Sequence, residues 1–250
     1  MPRYFIDLAY RGLPFHGWQI QPGEVTVQQT IEEALSKLMR THTPVTGAGR
    51  TDAGVNARRM IAHFDAANPI ADTDAVVRGL NAMCGRDIAV RSIREVHPEA
   101  HARFDATSRT YHYYASLRKT PFFHTLSWQA SKGLDFEAMN RAAEILLSTS
   151  DFASFAKLHS DAKTTICRVT EAEWRPAGSE GMVFVITADR FLRNMVRAVV
   201  GTLVDVGRGK LSATQLRDII DARNRCAAGT SMPPQALYLW DVKYPYYSPD

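Results

Sequence analysis

The order in which two hydrophobic periods follow one another constrains this chain more than any other feature. Arg3–Tyr10 alternates, with Tyr4, Ile6 and Leu8 on one side, the period of a strand with one buried face. Val27–Met39 switches to apolar residues at 27, 31, 34, 35, 38 and 39, the stripe of an amphipathic helix. A short strand at Val45–Ala48, a strand at Arg59–Ala66, a helix at Asp74–Met83 capped by Thr73 or Asp72, and a strand at Ile88–Val96 follow. That order, β-α-β-β-α-β, is the split βαβ pattern of a ferredoxin-like unit. The second half repeats the order without repeating the sequence. Its elements are strand Thr110–Leu117, helix Phe136–Leu147, a hairpin of Arg168–Arg175 and Met182–Ala188, helices Phe191–Val206 and Ser212–Arg223, and strand Leu237–Tyr244. The expected fold is therefore α+β, with two ferredoxin-like halves, residues 1–104 and 105–250, sharing a mainly antiparallel sheet. The join falls near Pro98–Ser108, where no low-complexity linker intervenes.

Composition narrows the class. With 45% hydrophobic residues the chain can bury a core. The net charge is only +4, yet 23 of the 30 basic residues are Arg. Arg suits planar contact with phosphate and stacking on bases, although a GC-rich genome gives the same bias. Cys84, Cys167 and Cys226 form no CxxC pair, so neither a disulfide framework nor a zinc knuckle is indicated. Reduced thiols, and a soluble cytoplasmic protein without a membrane segment, are expected. The most apolar run, Phe191–Val206, is interrupted by Arg193, Arg197 and Asp205.

The chemistry concentrates in Gly47-Ala-Gly-Arg-Thr-Asp-Ala-Gly-Val55. Asp52 follows Arg50 in a loop of small residues whose glycines permit sharp bends and close approach to a ligand. A short acid held there can act as a nucleophile. An ordinary hairpin connection with a surface ion pair fits the spacing equally well.

Other segments bear on that choice. Arg190, Arg193 and Arg197 are spaced i, i+3, i+7 on the expected helix 191–206, opposite an apolar stripe. Apolar neighbours imply that Arg197 is partly buried and needs an acid, with Asp52 a candidate. Thr110-Tyr-His-Tyr-Tyr114 places Tyr111 and Tyr113 on one face of a strand, for core packing or for stacking on RNA bases. Tyr10, Phe15 and Trp18 lie in a glycine-containing loop expected to be exposed and able to bind. Pro98 breaks the helix that a zinc pair of His97 and His101 would need. Gly207-Arg-Gly-Lys-Leu-Ser212 lacks the GKS or GKT ending of a phosphate loop.

Taken together, Tyr10-Arg-Gly, Phe15-His-Gly-Trp-Gln19, Gly49-Arg-Thr-Asp-Ala-Gly-Val55, His101-Ala-Arg-Phe104, Arg109-Thr-Tyr-His-Tyr113, Asp151-Phe-Ala-Ser-Phe155, Met195-Val-Arg197 and Leu237-Tyr-Leu239 resemble the tRNA pseudouridine synthase A family nearly end to end. The resemblance implies a pseudouridine synthase fold and a homodimer with tRNA lying across both subunits. It implies isomerisation of uridine to pseudouridine at positions 38 to 40 of the anticodon arm, with no metal or organic cofactor. The N1–C1′ bond breaks, the uracil rotates, and it rejoins through C5.

By the same resemblance, Asp52 matches the nucleophile and Arg50 the residue that helps flip the target base and occupies its space. Tyr111 matches the tyrosine that stacks on the uracil and accepts the C5 proton. Arg197 matches the basic partner of the aspartate, and Leu237 the apolar wall of the uracil pocket. A flipped base costs a few kcal/mol of stacking, which a guanidinium can offset in part. The chain departs from the family pattern at Asn56, where histidine is usual, at Met60, where glutamine is common, and at Cys84-Gly85-Arg86 before Asp87-Ile88. A non-catalytic RNA-binding module gives no reason for a positioned acid. A glycosidase-like hydrolase would need a second carboxylate, which the loop does not offer.

Overall fold

The computed structural model describes residues 1–157 and 163–248. They form two compact units, one of residues 1–107 with 239–248 and one of residues 108–157 with 163–238.

The first unit is built on strands β1 (Arg3–Tyr10), β2 (Thr46–Gly47), β3 (Asn56–Asp65) and β4 (Ile88–Val96), with helices α1 (Val27–Met39) and α2 (Thr73–Met83). β1 is central, antiparallel to β3 on one side and to β4 on the other, and β2 pairs antiparallel with β3. The alternation read from the sequence becomes a packed face: Tyr4, Ile6 and Leu8 stand opposite Phe64, Ala62 and Met60, all buried. Each large apolar side chain so buried contributes about 1.5–3 kcal/mol. Thr26 caps α1 by accepting from the Gln29 N–H, and Asp72 caps α2 by accepting from the Ala75 N–H. α1 buries Val27, Ile31, Ala34 and Leu35, while Leu38 and Met39, counted in the expected stripe, are only half-buried.

The opposite face of β1 carries a buried acid, Asp7. Arg59 Nε approaches Asp7 Oδ2 at 3.2 Å and Arg91 Nη1 approaches Oδ1 at 3.6 Å. Burial pushes the Asp7 carboxyl up, and the two guanidinium groups oppose that push. Arg59 also reaches Asp241 Oδ1 at 3.0 Å. Asp241 belongs to β9 (Leu237–Lys243), which lies next to β3 in the sheet. Residues 239–248 therefore belong with the first unit, whereas the order of elements along the sequence puts them in a second half beginning at residue 105.

The second unit contains β5 (Ser108–Ser116), β6 (Trp128–Gln129), α3 (Phe136–Leu147), β7 (Val169–Pro176), β8 (Gly181–Ala188), α4 (Met195–Gly207) and α5 (Ala213–Asp221). β8 pairs antiparallel with both β5 and β7, and the short β6 adds parallel to β5. Ser212 caps α5 in a complete capping box with Gln215. The expected helix 191–206 starts four residues late. Asn194 adopts φ 67°, a left-handed conformation that cannot continue a helix, so Arg190 and Arg193 precede α4 and do not share a helical face with Arg197. All three cysteines are free; burial pushes the Cys84 and Cys167 thiols up to about 11.

One histidine of the first unit couples folding to pH. His63 is buried near the end of β3, its Nδ1 accepting the Ala102 N–H at 3.1 Å, its ring edge-on to His101 at 4.7 Å. Burial first, then the His101 and Arg3 charges, lower its pKa to about 4. The unfolded chain holds more protons between that value and 6.5, so stability rises with pH across this window. The contribution is complete above 6.5 and is lost as pH falls toward 4, by roughly 3 kcal/mol. Urea unfolding is expected to give a midpoint that falls steeply between pH 7 and pH 4.5, and a shallower fall in His63→Asn.

Candidate active site

Asp52 and Arg50 sit in the eight-residue connection from β2 to β3, and the sheet fixes both of its ends. Thr46 and Gly47 pair with His63 and Ala62, and Ala48 donates to Ile61 O at 2.7 Å. The loop re-enters β3 through a turn closed by the Val55 N–H on Asp52 O at 3.1 Å, with Gly54 at φ 77°. That conformation strains any side chain bearing a Cβ and explains this glycine. Asn56, the first residue of β3, is buried and accepts the Gly12 N–H at 2.8 Å. Within this frame Arg50 is exposed, Thr51 is buried and Asp52 is half-buried.

The aromatic loop after β1 is not the exposed binding loop that its composition suggested. Tyr10, Phe15 and Trp18 are all buried, and the segment packs onto the acid-bearing loop. The Trp18 N–H donates to Thr51 O at 3.2 Å and the Gly54 N–H to Phe15 O at 3.3 Å. The Trp18 indole fills the space where Gly47 would carry a side chain: a Cβ there would meet the ring at 2.5 Å. At Gly49 a Cβ would meet nothing within 4 Å. The three glycines of the motif therefore differ in kind, one admitting a ring, one turning the chain, and one with room for a side chain.

The remaining predicted residues lie in the second unit. Tyr111 and Tyr113 share a face of β5 but not a role. Tyr113 is fully buried, burial pushes its phenol well above the usual range, and its hydroxyl donates to Pro233 O at 3.2 Å. Tyr111 is half-buried, its ring edge-on to Phe191 at 5.0 Å. Arg197 stands in the first turn of α4, where the helix dipole opposes a cation. It is half-buried, as its apolar neighbours implied, and its Nε donates to Met232 O at 2.6 Å. The Met232 N–H in turn donates to Arg197 O at 3.1 Å. Arg193 is exposed. Leu237 is buried at the start of β9, directly after a 3-10 turn at Pro234–Ala236. The segment 232–237 thus links Arg197, Tyr113 and Leu237, and Phe191 brings Tyr111 to the approach of α4. Among the described residues no group of three or more His, Cys, Asp or Glu side chains is arranged to hold a metal ion. No helix among them is long and apolar enough to cross a membrane.

Sequence comparison adds a lineage. A family model described as tRNA pseudouridine synthase matches residues 142–245. A tRNA pseudouridine synthase A of Parabacteroides distasonis is 57% identical over 98% of this chain and 97% of its own length. The enzyme of that name from Bacteroides fragilis is 53% identical over 97% and 96%. That from Geobacter sulfurreducens is 40% identical over 95% and 97%.

The unequal glycines can be tested. Gly47→Ala forces a methyl group into the Trp18 ring and is expected to cost about 1–3 kcal/mol of stability. Gly49→Ala is expected to leave the urea midpoint unchanged. Equal midpoints for the two variants would contradict the packing described.

Proposed function

This chain belongs to the tRNA pseudouridine synthase A family, and from that premise we propose that it isomerises uridine to pseudouridine in the anticodon arm of tRNA, at positions 38 to 40, with Asp52 as nucleophile. The observation that carries this reading is Asp52 itself: a half-buried carboxylate on a short loop whose flanking residues are tied to the sheet and to a second loop. Such a placement suits a group that must reach a substrate atom without carrying its loop along.

Arg50, exposed beside it, enters the stack that the target base leaves. Tyr111 stacks on the uracil and takes the C5 proton as the ring rejoins the ribose. Tyr113 is unsuited to that task because it is buried and spent on Pro233. Arg197 serves as the basic partner of the aspartate, and Leu237 forms an apolar wall of the base pocket. The order β4-β1-β3, with β2 on the far edge of β3, supports a ferredoxin-like first half. A cytoplasmic homodimer that binds tRNA across both subunits completes the proposal. The excess of Arg over Lys suits phosphate contacts that fix position and orientation without reading sequence.

Asp52→Ala is expected to abolish pseudouridine formation while tRNA binding stays within a few-fold of wild type. Tritium release from [5-³H]uridine-labelled tRNA and filter binding measure the two. Turnover by that variant would remove Asp52 from its assigned role. Mapping pseudouridine in tRNA from a strain lacking the gene, with and without rescue by Asp52→Ala, tests positions 38 to 40.

Binding should also weaken steeply with salt. Contacts to several phosphates give a log–log slope of about −0.9 per phosphate neutralised on a duplex. A flat response between low and physiological salt would exclude such a footprint.

A further inference from the structure

We infer that the buried hydrogen bond between the Tyr10 phenol and the Thr51 hydroxyl positions Asp52, so that these two residues govern turnover and not tRNA binding; the inference rests on the function proposed above. The two oxygens are 2.8 Å apart, and either can donate. Tyr10 is 4% exposed and Thr51 7%, so neither hydroxyl is placed to touch a nucleotide. Both belong to the first unit, and Thr51 immediately precedes Asp52.

The anchor is firm because of where Tyr10 comes from. It ends β1, the central strand, paired to Ala57 of β3 on one side and Ile88 of β4 on the other. Between Leu8 and Tyr10 the β1–β3 register shifts, with Arg58 and Arg59 opposing the single residue Ala9. A bulge of this kind re-aims the side chains beside it. Here the Tyr10 ring lies 6.1 Å from the Trp18 ring, with its hydroxyl on Thr51.

The backbone is gripped at the same place. Thr51 O accepts from Trp18 N–H, and Gly17, at φ 90°, lies so close that a Cβ would fall 2.5 Å from Thr51 O and 3.2 Å from the Asp52 carbonyl carbon. Thr51 is thus held through its carbonyl by one loop and through its side chain by the central strand. Two attachments to one residue limit rotation of the peptide that carries Asp52. A hydrogen bond in such dry surroundings is directional and strong. Releasing the hydroxyl leaves the carbonyl attachment and the sheet in place, so the loop stays folded while the carboxylate gains freedom. An error of about 1 Å in a reacting group costs on the order of 100-fold in rate.

The test compares Thr51→Val, Thr51→Ser, Tyr10→Phe and the Thr51→Val/Tyr10→Phe double variant in steady-state tritium release and tRNA filter binding. Assays run at a temperature where circular dichroism shows every variant folded. Tyr10→Phe, which deletes one oxygen from a seated ring, keeps the test intact should Thr51→Val unfold. For each single deletion kcat is expected to fall about 10- to 100-fold, with KM and Kd within about twofold of wild type. Thr51→Ser should keep nearly wild-type kcat, and the double variant should be no slower than the slower single. Unchanged kcat, a loss confined to KM or Kd, multiplicative losses in the double variant, or a serine variant as slow as valine would each overturn the inference. A wild-type protein that forms no pseudouridine in any tRNA would instead refute the functional reading.

Discussion

The crossing of two loop backbones, residues 12–18 against residues 51–55, is the constraint on which the candidate site depends. A loop of small residues fixed in one conformation loses about 1–2 kcal/mol of backbone entropy per residue. Its own side chains bury too little apolar surface to offset that. The offset comes from outside the loop, from Tyr10, Phe15 and Trp18, which are buried where the two segments meet. The crossing in turn requires β1 and β3 to deliver both loops from neighbouring positions of one sheet, and the antiparallel β1–β3 pairing does so. Asp52 is held by a hierarchy: sheet, then aromatic cluster, then loop.

The Asp7 cluster serves the same hierarchy at a distance. Burying a carboxylate between guanidinium groups adds little net stability, because desolvation offsets the attraction. What it can supply is register. β3 carries Arg58 and Arg59 in succession, and only Arg59 reaches the Asp7 and Asp241 carboxylates. Arg58 is exposed, its guanidinium 4.6 Å above the Trp240 ring. A slip of one residue would exchange these two environments and leave Asp7 buried without its principal partner. The paired charges thereby hold β3, and the loop that leads into it, in one alignment.

Much of this architecture was legible in the chain, and the failures share a cause. β4 and α3 have the bounds that periodicity assigned, and the caps of α2 and α5 are side chains that the sequence put forward. Period and capping are local, so a single segment reveals them. Asn194 delays the start of the helix because its backbone enters the left-handed region, which a sequence of apolar residues and arginines does not announce. The aromatic loop reads as a binding surface because glycine, proline and aromatics suggest exposure. Its burial depends on the partner loop some thirty-five residues away. Asp52 and Arg50 stood out by their setting among glycines, whereas Thr51 carries no such mark. Its importance comes from Tyr10, brought to it by strand pairing and a bulge.

The return of the last strand to the first unit has a consequence for how the chain is made. Translation delivers β1 through β4 early, yet the strand next to β3 is encoded only after the helices of the second unit. Until residues 239–243 emerge from the ribosome, β3 presents unpaired backbone groups along that side, and Arg59 lacks Asp241. The loop carrying Asp52 thus opens directly into a strand whose neighbour is made much later. Residues 239–243 are therefore part of what makes the site rigid.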